Sequence, residues 1–318
     1  MPTLIRLAAL LCIFALATSV GHAGVITYTL GEKVFYISSN PHATPVDVTA
    51  QLNKTTAGRG DSHLNISPNG QWLVMNGRRL LPECLDWACL VVMDRSLTQA
   101  AVVQVEGQAL HPDGFSAIAS SGNMIVFASA GGTHSMDLWK VVKNAAGSWG
   151  APVSLTHDSP YAWNSQPALS GNGAKALFDC GNEPYAGAGN AICEVNTATG
   201  KVRVVLSPDA KPDGYRAGTA LHHADYTDGG IVFEADWGGE RLWTLAAGSQ
   251  TAQLINPKHR NDNSPCALPS GEVASLWLNR RTATSSNHEL KLVAPTGERR
   301  MLVTGKDISD IGIGCGAD

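Results

Sequence analysis

The chain repeats itself. The stretch His222 to Leu245, HHADYTDGGIVFEADWGGERLWTL, holds a Gly turn, a short apolar run ending on Phe233, a second Gly turn and another apolar run. Variants of it recur along almost the whole sequence. The apolar run ends near Tyr28, Met75, Phe127, Phe178, Phe233 and Leu276, at steps of 47, 52, 51, 55 and 43 residues. Units of this length bury their apolar faces on neighbouring copies, so the period restricts the fold more than any local motif.

Each unit reads as four short strands. The first runs into a turn, as in LNISPNG (64–70), SAIASSG (116–122), PALSGNG (167–173), HADYTDG (223–229) and PCALPSG (265–271). Pro, Asn, Asp and Gly there supply the fixed or positive φ that a tight hairpin needs. The second strand follows at QWLVM, MIVFA, KALFD, GIVFE and VASLW. The third is CLVVMD, DLWKVV, ICEVN, RLWTLA and ELKLVA, and the fourth AVVQV, APVSLT, VRVVL, TAQLI and RMLVT. Segments such as GVITYTLG and KVFYISS alternate apolar with polar residues, the pattern of half-buried strands.

The two ends are complementary. The first unit lacks a first strand, and the tail SDIGIGCGAD resembles a first strand with nothing after it. Joined, they make one blade and leave no open sheet edge. The expected fold is therefore all-β: a six-bladed β-propeller of four-stranded antiparallel blades, its ring closed by N- and C-terminal strands in one blade.

Residues 1–23, MPTLIRLAALLCIFALATSVGHA, carry an early Arg6, an apolar run from Leu7 to Ala17 and small residues before Gly24. That is the pattern of a cleaved signal peptide, leaving 24–318 as a single propeller domain, periplasmic or secreted. The run is too short to span a bilayer, and no later segment replaces it. Without Cys12, six cysteines remain: Cys84, Cys89, Cys180, Cys193, Cys266 and Cys315. In an oxidising compartment an even count reads as three disulfides, with the pairing open. Only 16% of residues are charged, the net charge is −4, and no basic stripe is present, which excludes nucleic acid as a partner. The expected state is a monomer.

ISPNGQWLVM or ALSGNGAKALF, followed by DLWKV or RLWTL and a short strand such as VSLT, resembles the TolB-type (PD40, WD40-like) propeller repeat over nearly all of 24–318. The resemblance implies the fold and no particular activity. No hydrolase domain or G-x-S-x-G elbow accompanies it.

Blade topology places the long loops on one upper face, among them 76–88, 129–136, 179–191, 157–166 and 206–222. There, Cys84 with Cys89 and Cys180 with Cys193 would each staple a loop, and Cys266 with Cys315 would join the last two first strands. Three groups of side chains are candidates. His63, His222, His223 and Asp225 could supply a base or hold a divalent metal such as calcium or manganese, since neutral imidazole serves both. Adjacent strand residues point to opposite faces, so at most one of His222 and His223 is expected to face the axis. Tyr161, Trp163, Gln166, Tyr215 and Arg216 offer aromatic faces with hydrogen-bonding neighbours, suited to a peptide or glycan. Asp61, Asp113, Asp262, Asp307 and Asp310 recur before first strands, where Asp also caps turns.

Two functions follow. One is an exported binding protein whose upper loops take an envelope or extracellular protein, peptide or glycan. The alternative is a propeller-type lyase or hydrolase acting on an acidic oligosaccharide, with His63, His222 or His223 as base and Arg216 or Arg260 holding the substrate carboxylate.

Overall fold

The computed structural model describes residues 23–52, 60–183, 189–216, 220–256, 258, 261–278 and 288–318. Their strands form six four-stranded antiparallel blades arranged as a propeller ring. The second blade shows the plan: Ser62–Ile66 innermost, then Trp72–Gly77, Cys89–Asp94 and Ala100–Val102. The third, fourth and fifth blades repeat it from inner strands Ser116–Ile118, Trp163–Leu169 and Leu221–Thr227. The sixth runs from Asp262–Ala267 outward to Arg299–Ile308.

The first blade is assembled from both ends of the chain. Gly314–Ala317 pairs with Gly24–Leu30, which pairs with Lys33–Ser38 and, beyond it, Val46–Asp47. The register is Gly24 to Ala317, Val25 to Gly316, Ile26 to Cys315 and Thr27 to Gly314. Closure is tight against the second blade. Gly70, at φ 70°, sits where a Cβ would lie 1.6 Å from the Ala317 carbonyl oxygen, so the residue at this turn must be glycine.

The core lies between blades. One apolar cluster joins Val126, Ala128 and Leu138 of the third blade to Ala176 and Phe178 of the fourth, and another joins Leu177 and Ile192 of the fourth to Phe233 and Trp243 of the fifth. Strands sandwiched in this way are covered on both faces. Val25, Ile26, Thr27, Tyr28 and Thr29 are all at most 2% exposed, so the first strand is not half-buried as its alternation predicts. Thr27 is accommodated by hydrogen bonding: its Oγ1 donates to the Leu64 carbonyl of the next blade at 2.8 Å. Asn65 Nδ2 likewise donates to the Ser116 carbonyl at 2.9 Å.

All three expected disulfides are present: Cys84–Cys89, Cys180–Cys193 and Cys266–Cys315. The first two staple upper loops, and the third ties the inner strand of the sixth blade to the strand that closes the ring. No helix among the described residues is long and apolar enough to cross a membrane.

Candidate functional site

The inner strands are interrupted at matching places. Register shifts between Ser62 and Asn65, Ser165 and Ala168, His222 and Asp225, and Asn263 and Cys266 mark a bulge in the second, fourth, fifth and sixth blades. In each bulge a residue other than glycine is left-handed: His63 at φ 54°, Gln166 at 57°, His223 at 50° and Ser264 at 47°. Such a backbone costs roughly 1 to 3 kcal/mol per residue and persists only where the surroundings enforce it. Its effect is to re-aim side chains, as bulges beside sites commonly do.

Those side chains meet at the upper mouth of the ring. They line a cavity of about 360 Å³ together with Asp179, Asn190, His222, Glu234, Glu240, Asn263, Asp310 and Ile311. A narrower space of about 60 Å³ continues inward, lined by inner-strand residues of all six blades, including Phe115, Cys266 and Cys315. His222 and His223 both line the mouth, against the expectation that at most one would. Strict alternation fails here because the bulge inserts an extra residue between His222 and Asp225.

Two imidazole–carboxylate pairs are built at the fifth blade. His222 Nδ1 lies 3.2 Å from Asp179 Oδ2, and the His223 amide donates to Asp179 Oδ1 at 3.0 Å. Burial alone would lower the His222 pKa, but the Asp179 hydrogen bond and the charges of Asp179, Glu234 and Asp236 outweigh it and hold it above the usual histidine value. His223 Nδ1 is 3.4 Å from Glu234 Oε2, and Glu234 also accepts the Ser264 amide at 3.0 Å. Burial would raise the Glu234 carboxyl, yet these neighbours hold it below the usual carboxylate range. Across the channel His63 packs edge-on against Phe115, with centroids 5.0 Å apart, and burial lowers its pKa to about 4.

Three histidines foreseen from the sequence are thus brought to one cavity, and Gln166 joins them. The aromatic candidates go elsewhere. Tyr161 and Trp163 pack on the core between the third and fourth blades. Tyr215 packs edge-on against Trp243 at 4.9 Å, with Arg241 over its ring at 5.8 Å. Arg216 is exposed and does not line the cavity, while Arg260 lies outside the described residues.

The acidic candidates divide. Asp225 is half-buried in the sheet, accepting the Ala267 amide at 2.9 Å and the Tyr226 amide at 2.8 Å, and desolvation raises its pKa to about 6. It joins two blades and lines the narrower inner space beside His223 rather than the mouth. Asp61 pairs with Arg79 at 2.8 Å, Asp113 accepts the Ala130 amide at 2.7 Å, and Asp262 pairs with Lys291 and Arg299. Of this set, Asp310 faces the cavity. The side chain of Asp307 lies outside the described residues. Among the described residues no three His, Cys, Asp or Glu side chains converge on a metal position.

Sequence reasoning missed Asp179, Asn190, Glu234, Asn263 and Ser264. A signal for the bulges was present: His63, Gln166 and Ser264 each stand seven residues before a positive-φ turn glycine, Gly70, Gly173 and Gly271.

No protein-family model and no curated protein matches the sequence. Solved structures do resemble the fold. TolB from Acinetobacter baumannii superposes with a TM-score of 0.65 at 12% identity, covering 93% of this chain and 67% of that one. A putative TolB from Agrobacterium tumefaciens gives 0.56 at 12%, covering 90% and 91%. Hydrazine synthase of Kuenenia stuttgartiensis gives 0.61 at 11%, covering 93% of this chain and 46% of its own. At these identities the likeness establishes a shared TolB-like propeller fold.

Proposed function

We propose that this chain is an exported, non-catalytic binding propeller that receives a segment of a protein or peptide at the upper mouth of its channel. The observation that carries the reading is the set of four strained bulges that turn polar side chains into one cavity. Strain of this kind, repeated at equivalent places on a rigid ring, is maintained at sites rather than in plain scaffolding. Trp87 supports a macromolecular partner: it is 72% exposed on the same face, in a loop pinned by Cys84–Cys89. Three disulfides and the TolB-like neighbours fit an exported protein.

The charge of the cavity speaks against an acidic oligosaccharide. Carboxylates occupy the lining where a uronate would have to sit, and the exposed Arg216 is not part of that lining.

The test is crosslinking of the tagged, exported chain in the envelope, comparing wild type with Gln166→Ala and with Arg216→Ala. The expected outcome is a discrete partner that is lost in Gln166→Ala and retained in Arg216→Ala. Equal capture by the two variants would remove the cavity as the site.

A further inference from the structure

We infer that the cavity at the channel mouth anchors its ligand through a cationic hydrogen-bond donor, an ammonium or a guanidinium group. The inference rests on the reading of this cavity as a binding site and names the chemistry that it selects. Charge is the first observation. Asp179, Glu234, Glu240 and Asp310 line the space, and no Lys or Arg does among the described residues. His222 is paired with Asp179 at 3.2 Å and His223 with Glu234 at 3.4 Å, Glu240 and Asp310 add two carboxylates beyond these pairs, and His63, in its apolar contact with Phe115, stays neutral.

Unmet acceptors are the second, independent observation. Asn190 is 2% exposed, and its Oδ1 has no hydrogen-bond partner among the described residues; the same holds for Asn263 Oδ1. Asn263 is oriented by His288, whose Nε2 lies 3.2 Å from Asn263 Nδ2, which leaves the carbonyl oxygen as the free end. Ser264, 1% exposed, holds its hydroxyl without a partner as well. All three residues line the cavity. Buried acceptors without donors are a standing penalty that a ligand rich in N–H groups removes. A guanidinium brings five donors in a planar fork and an ammonium three, and neither carries an acceptor that would clash with this lining. About 360 Å³ accommodates one basic side chain with its stem, or a small free amine. A carboxylate or phosphate ligand would instead meet like charge and leave the acceptors unpaired.

The shared chemistry has two sources, a free diamine or a basic residue of a peptide, and the experiment separates them. The mature chain is titrated calorimetrically, and by its histidine imidazole NMR signals, with agmatine, acetyl-Gly-Arg-Gly-amide, the citrulline counterpart of that peptide, and trigalacturonate. The expected result is that the arginine peptide or agmatine shifts the His222 and His223 signals and binds at least about tenfold more tightly than the citrulline peptide. Tighter binding of the peptide than of agmatine assigns the ligand to a partner's side chain, and the reverse to a free amine. Asp310 is exposed, so Asp310→Asn leaves folding intact and is expected to weaken the arginine probe about threefold at low salt. Equal binding of arginine and citrulline peptides overturns the inference, as does an arginine affinity unchanged in both Asp310→Asn and Asp179→Asn. If trigalacturonate or the citrulline peptide moves the histidine signals and the cations do not, the cationic inference falls while the binding cavity stands. Silence toward every probe removes both.

Discussion

Removing the Cys266–Cys315 disulfide by a C266A/C315A double substitution should cost more than removing either of the others. A crosslink stabilises chiefly by restricting the unfolded chain, and the restriction grows with the loop that it closes. The separations are 49 residues for Cys266–Cys315, 13 for Cys180–Cys193 and 5 for Cys84–Cys89. The loop-entropy relation converts these to about 4, 3 and 2 kcal/mol near room temperature. For a chain of this size the largest value corresponds to a fall in Tm of roughly 6 °C. The largest loss has a structural counterpart: without the bridge, the closing strand Gly314–Ala317 is held to the sixth blade by packing alone and to Gly24–Leu30 by its ladder. The assay is urea unfolding of the three double variants under oxidising conditions, followed by tryptophan fluorescence. A C84A/C89A variant that loses as much stability as C266A/C315A would refute the reasoning from loop size and ring closure.

Two further outcomes are expected. Arg79→Met leaves the fully buried carboxylate of Asp61 without its partner at 2.8 Å and should cost about 3 to 5 kcal/mol, whereas Lys33→Ala, which removes the exposed pair with Asp47, should cost under about 1 kcal/mol; equal urea midpoints would contradict this. The cavity histidines should act on opposite sides of neutrality. The His222 pKa, raised by Asp179 against the effect of burial, gives stability that is complete below the unfolded value of 6.5 and lost as pH rises through the higher folded value. His63, lowered by burial to about 4, binds a proton only in the unfolded chain between those two values, so stability falls as pH drops from 6.5 toward 4. Urea midpoints across this range should therefore flatten on the acid side in His63→Gln and on the alkaline side in Asp179→Asn, and unchanged profiles would contradict both assignments.

The ring was legible because its signals are local and repeated. Turn residues at 68–70, 120–122, 171–173 and 269–271, and the half-units at the two ends, needed no knowledge of tertiary contacts. The disulfides followed once the blades were aligned, since Cys84 and Cys89 bracket one excursion between strands and Cys180 and Cys193 another. Burial of Thr27 and Thr29 was not legible, because a period of two in one strand does not reveal that a neighbouring blade covers its second face. The cavity was half visible. His63, His222, His223 and Gln166 stood out as polar residues ahead of inner strands, but their convergence depends on left-handed φ values that only the assembled ring enforces. Asp179, Asn190 and Glu234 sit in or beside second and third strands, where sequence alone reads them as edge polar residues. That Trp163 opens an inner strand and that Tyr215 packs on Trp243 was not legible, because an aromatic residue at the edge of a loop has the same sequence signature whether it faces solvent or packs on its blade.

Closure of the first blade by Gly314–Ala317 also sets a clock. Gly24–Leu30 leaves the ribosome early, yet its inner neighbour lies almost 300 positions later, so the first blade waits for the last and folding is dominated by one very long-range pairing. Asp310 and Ile311, which complete the wall of the cavity, arrive with that strand. A partly made chain can hold several finished blades and still lack this wall of the cavity. The cavity is thereby complete only when the ring is, and its shape becomes a readout of whole-chain assembly.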